Sequence, residues 1–514
     1  MVLQIAAVAV HSTGEVLDGR RAVAQAVLAT PLVVDTHGRR FHVEWDPDAP
    51  VTPLGQLVFF SQFLATAGLF SDWVKSCPLE FASNNAPALN DLLGTSTLAI
   101  LSGQHRYSHV TALRADTVNP AGLGMSKVCS EDSVRRAFAG ADPAACAVWQ
   151  TQSLRQTWRP ALRQPWILDM DATVKPLYGH QEGAEIGYNP HKPGRPSHAY
   201  HSLFVRGLRL VLDVVVRSGK QHAATHSREN LWRVWESLPA DSRPWLVCGD
   251  ASYGHEGLLA ECEARPQKYL CRLRQSPGVK PLVQTLERQR GWQPAVNGGE
   301  GAEGRLQLSG WTAKRRVVVL RRKRERRTEQ SSAHELDWPM LVLCGPAPEY
   351  EYQVLVTNLT EALLSVADLY RQRADAENVY DELKNPWGWG GFMTKDMVRC
   401  QVAARNVALV YNWWSLCVRC AEPERPREAV TRRPLLLWAV GRVIETGRQR
   451  TLRLTSTHAQ AAHAQSLLTN LSLFLSGLKN TAEQLSPSQC WERIGVGILT
   501  PLLTPRAALP APSG

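Results

Sequence analysis

The chain has 514 residues, a formal net charge of +11 and a pI near 9.2. This length exceeds what one hydrophobic core usually holds, and the basic balance favours a polyanionic partner, although many other proteins share it. No run approaches the roughly 20 apolar residues of a membrane span, and among the 11 cysteines only Cys417-x-x-Cys420 has a metal-like spacing, without a second pair. We therefore expect no membrane and no zinc, and a cytoplasmic location, because scattered cysteines fit a reducing compartment.

Residues 1–165 form the first predicted region. Its pattern begins with short strands around 32–34 and 41–44 and then becomes helical at 89–101, 105–114 and 130–138. The last of these has an N-cap serine followed by acidic residues, as helix starts often do. Two of the helices could pair across a tight turn, and plain helical packing explains the same pattern at least as well.

Two apolar runs further along the chain end in acidic residues. Trp166–Thr173 carries Asp169 and Asp171, and Pro244–Gly254 carries Asp250. Each run is typical of a strand that delivers a carboxylate to its end. An acid in this position can also form a turn or cap a helix, and for Asp250 alone the two interpretations are equally good. The chain between the two runs predicts a hairpin and then a helix, at 201–216 and 227–238.

The stretch before residue 357 is rich in predicted strands with basic ends. The strand-like segments are Lys268–Arg274, Trp311–Leu320, Met340–Cys344 and Tyr352–Thr357, with Asn297–Gly301 as a turn. Basic clusters at 314–316 and 321–327 flank the apolar run 317–320. They could contact phosphates, or they could be the solvated ends of a hairpin.

One predicted helix, from Leu363 to Lys384, has an unusual polar stripe. At about 100° per residue, Tyr370, Arg373, Glu377 and Lys384 fall within about 60° of arc on one face. The opposite side is mostly apolar, as expected for an amphipathic helix. The stripe could be an ordinary solvated face, or it could hold a metal ion and a phosphate.

Glycines and tryptophans follow this helix. The segment Asn385–Gly391 should end it, and a long apolar helix at 395–420 contains Trp413 and Trp414, which we interpret as core residues rather than stacking platforms. The rest of the chain predicts mostly helix, with a disordered tail at 504–514.

The ordered set Asp171, Asp250 and Glu377, with the pattern Tyr-x2-Arg-x3-Glu-x6-Lys around the glutamate, resembles the DDE transposases of the insertion-sequence-four superfamily. The stretches Asp169–Val174 and Ile186–Ser197 resemble one branch of it, and the similarity covers most of the chain.

This resemblance implies an α/β fold: a ribonuclease H-like catalytic core interrupted by a β-rich insertion, with helical N-terminal and C-terminal regions. The implied divisions are a DNA-end-binding region at 1–165, the first part of the core at 166–275, the insertion at 276–357, the second part of the core at 358–420, and a C-terminal region at 421–514.

The resemblance also assigns the site residues. Asp171, Asp250 and Glu377 would be catalytic and would bind Mg²⁺, for which Mn²⁺ can substitute; Mg²⁺ prefers such oxygen ligands. Asp169 could replace Asp171 as the first ligand by strand geometry alone, but the family pattern selects Asp171 and leaves Asp169 a supporting role. The predicted DNA and phosphate contacts are Tyr370, Arg373, Lys384, Arg315, Arg316 and Trp311, with Trp292 as a second candidate for stacking on a flipped base.

The implied function is cut-and-paste transposition. The protein would bind terminal inverted repeats in double-stranded DNA, cleave them with two metal ions, form hairpin DNA ends, and transfer strands to target DNA as a homodimer. Two alternatives are a catalytically silent DNA-binding repressor and a metal-dependent nuclease without strand transfer.

Overall fold

The structure is a computed structural model. It describes residues 32–46, 48–83, 85–162, 165–189, 192–221, 223–289, 291–295, 299–323, 350–423 and 428–499. The predicted strand at 340–344 and the predicted tail at 504–514 lie outside these ranges.

The N-terminal region begins with strands and continues with helices. The strands are β1 (Leu32–Asp35), β2 (Arg40–Val43) and β3 (Val51–Thr52). The helices are α1 (Leu57–Ala67), α2 (Leu69–Lys75), α3 (Leu89–Leu101), α4 (Asn119–Gly122), α5 (Glu131–Arg136) and α6 (Pro143–Trp158), with a 3₁₀ helix at Tyr107–Leu113. The predicted helix at 105–114 is thus a 3₁₀ helix. Ser130 caps α5 as predicted, because its side chain accepts a hydrogen bond from the backbone N–H of Ser133.

A large mixed sheet occupies the middle of the chain. Its strands are β4 (Ile167–Pro176), β5 (Glu185–Ile186), β6 (Pro196–Val205), β7 (Leu210–Ser218), β8 (Leu246–Gly249), β9 (Lys268–Arg272), β10 (Gln293–Pro294), β11 (Glu300–Leu306), β12 (Arg315–Lys323) and β13 (Tyr350–Thr357). The helices between them are α7 (Ala223–Glu236), α8 (Glu256–Ala264) and α9 (Lys280–Gln289).

Strand β4 lies at the centre of the part of the sheet that carries the acidic residues. The order there is β7-β6-β4-β8-β9; β6 and β7 run antiparallel to their neighbours, whereas β4, β8 and β9 are parallel. Parallel strands bury both faces, which explains why 246–249 are all apolar or glycine and all buried. The predicted hairpin at 201–216 and the predicted helix at 227–238 correspond to β6–β7 and α7.

The strands of the predicted insertion extend this sheet instead of forming one of their own. Strand β13 pairs antiparallel with β9, and β12, β11 and β10 continue outward in that order. The predicted turn at 297–301 lies partly outside the described residues, and Glu300 and Gly301 already belong to β11.

The single helix predicted from Leu363 to Lys384 was wrong. The segment forms two helices, α10 (Leu363–Arg371) and α11 (Ala374–Lys384). At the break, the backbone N–H of Arg373 bonds to the carbonyl of Tyr370, three residues back. The carbonyl of Leu369, its partner in a continuous helix, instead accepts a hydrogen bond from Nη1 of Arg206 at 2.6 Å.

The C-terminal part is helical except for one hairpin. It contains α12 (Met397–Ala421), α13 (Ala429–Leu436), α14 (Ala461–Lys479) and α15 (Pro487–Ile494), with strands β14 (Val440–Thr446) and β15 (Gln449–Thr455) between α13 and α14. Sequence analysis missed this hairpin. Trp413 and Trp414 are each 1% exposed, which confirms that they belong to the core.

None of the described helices is by itself long and apolar enough to cross a membrane, although the bent pair α1 and α2 passes that test together.

Candidate active site

Asp171 and Asp250 lie side by side because of the strand register. Strands β4 and β8 pair in parallel with Met170 opposite Gly249, so the next position on each strand is an aspartate. Asp250 follows Asp171 by 79 positions (250 − 171), and the chain between them includes the β6–β7 hairpin and α7, which return it to the edge of β4. The sheet therefore joins two acids that are far apart in sequence.

The carboxylate of Asp171 is largely buried and has few partners. Its Oδ2 accepts a hydrogen bond from Nη2 of Arg373 at 2.7 Å, and its Oδ1 accepts one from the N–H of Ala172 at 2.7 Å. Burial raises the pKa of Asp171 to about 7; the Arg373 guanidinium opposes this shift, whereas the charges of Asp250 and Glu377 add to it. The charged form of Asp171 thus lacks sufficient positive compensation from the chain itself.

Asp169 has a different environment, although it points to the same side of β4. It is 1% exposed and forms a bidentate ion pair with Arg206, whose Nε lies 2.8 Å from Oδ2. Arg206 also holds the carbonyl of Leu369 at the helix break. Asp169 therefore fixes the position of α10 relative to β4, consistent with the supporting role that the resemblance implied.

Asp250 forms a turn at the end of β8. Its Oδ1 accepts a hydrogen bond from the N–H of Ser252 at 2.8 Å, and its carbonyl accepts one from Tyr253 at 3.1 Å. The residue before α8 is His255, so Asp250 does not cap this helix. Oδ1 of Asp250 is therefore used in the turn, whereas Oδ2 has no hydrogen-bond partner among the described residues.

Glu377 and Arg373 complete the acidic edge. The carboxylate of Glu377 is 53% exposed and lies 3.7 Å from Nη1 of Arg373. Arg373 is itself 5% exposed, so its guanidinium lies between Asp171 and Glu377 and is not open to solvent as the predicted phosphate contact required. Its Nε has no hydrogen-bond partner among the described residues.

The other two residues of the predicted stripe lie in different environments. Tyr370 is 7% exposed and packs with Val366 and Leu355, and burial raises the pKa of its phenol well above the ordinary value. Lys384 is half-buried at the end of α11 and has no ion pair with a described carboxylate. The helix break thus separates a buried tyrosine from a more accessible lysine.

No group of three metal-ligating side chains converges on one point in the described part of the chain. Asp171 and Asp250 are adjacent, but Arg373 separates Asp171 from Glu377. The donor set still suits a hard divalent cation, because all three side chains offer carboxylate oxygens. Burial is the main cause of the raised pKa of Asp171, and the charges of Asp250 and Glu377 add a repulsion that a cation would relieve.

The predicted contacts of the insertion are mostly engaged within the protein. Arg315 is 3% exposed and pairs with Glu256 and Glu263, and Arg316 pairs with Glu303 and donates to the carbonyls of Leu359 and Glu361. These ion pairs do not favour the predicted phosphate contacts.

The two tryptophans of the insertion are also covered by arginines. Trp311 is 8% exposed, and the guanidinium of Arg315 lies 4.9 Å from its ring centroid. Trp292 packs under Arg321, 4.0 Å from the ring, and beside Tyr352. Trp311 is therefore closed to stacking on a base, whereas Trp292 is partly buried with Arg321 over its ring.

Sequence analysis missed two cations near the acidic edge. Cys271 of β9 pairs with Gly249 of β8, so the next residues, Arg272 and Asp250, lie side by side. Lys175 lies four residues beyond Asp171 on the same side of β4 and against Gly390; burial lowers the pKa of its amine to about 8. The sequence could have indicated them, because Lys175 lies an even number of residues after Asp171 on the same strand and Arg272 lies in the next predicted strand after Asp250.

Comparison with known proteins assigns the chain to a family. The profile described as "Transposase DDE domain group 1" matches residues 80–475. A solved structure that matches is described as "Cryo-EM structure of piggyBac transposase synaptic complex with hairpin DNA (SNHP)"; it has 10% identity, covers 88% of this chain and 87% of that chain, and has a TM-score of 0.35, too low to carry an argument. No curated protein matches. Because the family profile spans well over half of the chain, the protein belongs to the family of DDE transposases.

Proposed function

We propose that this DDE transposase is a cut-and-paste enzyme of the insertion-sequence-four superfamily. It binds the terminal inverted repeats of its own element, cleaves the DNA there, and joins the released ends to target DNA. The observation that carries the proposal is the adjacency of Asp171 and Asp250 on two parallel strands, with Glu377 linked to Asp171 through Arg373.

The strand order supports a ribonuclease H-like core for this activity. An antiparallel hairpin, β6–β7, lies on one side of β4, and two parallel strands, β8 and β9, lie on the other. The long excursion through α9 and β10–β13 then separates β9 from the helix that carries Glu377, as expected of an insertion. This topology brings acids from three distant segments to one edge.

Asp171, Asp250 and Glu377 would hold Mg²⁺ or Mn²⁺. When bound, such ions activate the attacking oxygen and offset charge on the leaving oxygen of a phosphodiester. The chain itself contributes Arg373, which neutralises part of the acidic charge within the protein, and Lys384, whose mobile charge suits a phosphate. Arg272, which neighbours Asp250 across the sheet, would contact a further phosphate of the same DNA strand.

The proposal includes hairpin DNA ends, strand transfer by a dimeric synaptic complex and a cytoplasmic, nucleoid-associated location. These features follow from the resemblance to the insertion-sequence-four superfamily. Hairpin ends and strand-transfer products are therefore the products to be measured.

Cleavage of a labelled duplex that carries the end of the element tests the proposal. With Mg²⁺, the parent protein should produce a nick that becomes a hairpin, and Glu377→Gln should lower the rate at least 100-fold while end binding survives. Asp368→Asn is the matched control, because Asp368 is a partly exposed acid on α10 whose side-chain partners among the described residues are its neighbours Arg371 and Gln372. It should cut at the parental rate.

Three other outcomes would contradict parts of the proposal. A parent protein that binds its end but never cuts would be a repressor. Products without hairpins or strand transfer would indicate a nuclease. Equal cutting by Glu377→Gln would remove Glu377 from the site.

A further inference from the structure

The β14–β15 hairpin, residues 440–455, is a basic arm that the active site does not use. Its two strands pair along their whole length and are joined by Gly447 and Arg448. Gly447 has φ of 60°, the left-handed conformation required at the first position of such a two-residue turn. The sequence therefore specifies a tight, well-defined hairpin.

Among the described residues, the backbone contacts that attach the arm to the protein lie near its base. Gly441 and Arg442 pair with Thr52 and Val51 of β3, and the N–H of Val443 bonds to the carbonyl of Pro50 at 2.9 Å. A Cβ on Gly441 would lie 2.9 Å from the Cα of Gly55, so the two backbones are in close contact there. Beyond this anchor, residues 445–451 are all exposed.

The charge of the arm is unbalanced. It holds four arginines and a single acid, Glu445, which pairs with Arg450 at 2.6 Å. Arg442, Arg448 and Arg453 are exposed and form no ion pair with a described carboxylate. The arm thus presents three arginines whose charge the described protein does not neutralise.

Two of these arginines lie directly opposite each other. Arg442 pairs in register with Arg453, so their Cβ atoms are about 4.5–5.5 Å apart on the same face. Like charges in this position destabilise a hairpin. A polyanion bound to this face would remove the repulsion.

We propose that the arm binds the phosphates of double-stranded DNA, an inference that rests on the proposed function for the identity of that DNA. Arginine matches phosphate because its planar fork donates two parallel hydrogen bonds. Four steps separate Arg442 from the strand end at Thr446, about 14 Å at about 3.4 Å per residue. That reach exceeds the roughly 12 Å width of the major groove. The arm can therefore place Arg442 and Arg453 on one groove edge and Arg448 near the other.

The double variant Arg442→Gln/Arg453→Gln tests this site by equilibrium binding without divalent cations. The duplexes are the end of the element and an unrelated sequence of equal length. We expect affinity for both to fall about tenfold at 150 mM salt, and the slope of log K against log salt to fall by about 2, since each phosphate contact contributes about 0.9. Arg442→Lys/Arg453→Lys should keep the parental slope.

A matched control removes two exposed charges elsewhere in the C-terminal region. Lys479→Gln/Arg493→Gln should bind both duplexes like the parent. The thermal midpoint of the arm variant should be no lower than that of the parent, because loss of the two facing arginine charges relieves their repulsion. Unchanged affinity and slope in the arm variant would overturn the proposal. The proposal would also be overturned if the arm variant kept its affinity for both duplexes and lost only its binding to vesicles containing 30% phosphatidylserine, which would indicate a lipid surface.

The two proposals fail separately. A reduced slope on both duplexes supports the arm even if the parent never cuts DNA. If the parent cuts DNA normally and the arm variant keeps the parental salt slope, the proposed function stands and the arm is not a DNA-binding site.

Discussion

At the scale of single residues, the environment of each acid decides its role more than its position in the sequence does. Asp169 and Asp171 are two residues apart and point to the same side of β4. Asp169 has a complete bidentate partner in Arg206, whereas Asp171 shares Arg373 with Glu377 and neighbours Asp250. Asp169 is stabilised as an ion pair. The charged form of Asp171 is disfavoured by burial and, to a smaller extent, by the neighbouring carboxylates, so Asp171 is suited to bind a cation.

Asp169→Asn should destabilise the protein strongly. It breaks a buried ion pair and leaves the guanidinium of Arg206 uncompensated, which typically costs about 3–5 kcal/mol. Urea denaturation followed by tryptophan fluorescence measures the loss. Asp368→Asn, at a partly exposed position, should change the free energy of unfolding by no more than about 0.5 kcal/mol. Equal values for the two variants would show that the Asp169 pair is not structural.

Glu256 should stabilise the protein in a pH-dependent way. Burial alone would raise its pKa, but hydrogen bonds from Arg315 and Thr312 outweigh burial and lower the pKa to about 2. A carboxyl with a lowered folded pKa contributes stability above its unfolded pKa of about 4.5, and loses it as pH falls toward 2. The thermal midpoint of Glu256→Gln should therefore lie below that of the parent at pH 6, and the gap should narrow from pH 4.5 downward. A gap that is constant with pH would contradict this account.

At the scale of elements, the connections of α11 determine how the catalytic edge joins the rest of the molecule. The preceding break allows the side chain of Arg373 to reach Asp171. The glycine-rich segment after α11 packs against the N-terminal region, where the N–H of Phe392 bonds to the carbonyl of His105 at 2.9 Å. One face of this segment also contacts Lys175 through Gly390.

Gly388→Ala should destabilise this junction. Gly388 has φ of 66°, and a Cβ there would lie 2.5 Å from the ring of His105. Backbone strain of this kind costs about 1–3 kcal/mol. Gly477→Ala is the opposite control, since Gly477 lies inside α14 with open space around it and should gain about 0.5–1 kcal/mol in helix propensity. Thermal midpoints that move in the same direction for both variants would refute the argument.

At the scale of the whole molecule, one continuous sheet supports both the acidic edge and the inserted strands. Because β13 pairs with β9, α9 and β10–β13 are fixed relative to β8 and β4. Arg315 of β12 contributes to this rigidity through ion pairs with Glu256 and Glu263 of α8. We infer that these ion pairs hold the insertion in place.

Metal binding should require acids from both parallel strands. Asp250→Asn should weaken Mn²⁺ binding at least tenfold, because a cation would lose one of two adjacent carboxylates. Titration of free Mn²⁺ by electron paramagnetic resonance measures this affinity without DNA or catalysis. Asp368→Asn should bind Mn²⁺ like the parent. Unchanged binding by Asp250→Asn would exclude it as a ligand.

The sequence by itself determined the strand runs that end in Asp171 and Asp250, the buried tryptophans of α12 and the capped start of α5, because these depend on local periodicity and on side chains next to each other in the chain. It could not determine the break between α10 and α11, since that break arises when Arg206, more than 160 residues away, takes the carbonyl of Leu369.

Tertiary structure alone decided which cations are available to DNA. Arg315 and Arg373 look alike in sequence to any surface arginine, but both are buried against acids that come from other segments. The arm at 440–455 looked like part of a helical region, yet pairing with β3 and a left-handed glycine make it a hairpin. The sequence gives the number of arginines, but only the fold determines which of them are already neutralised by acids of the protein.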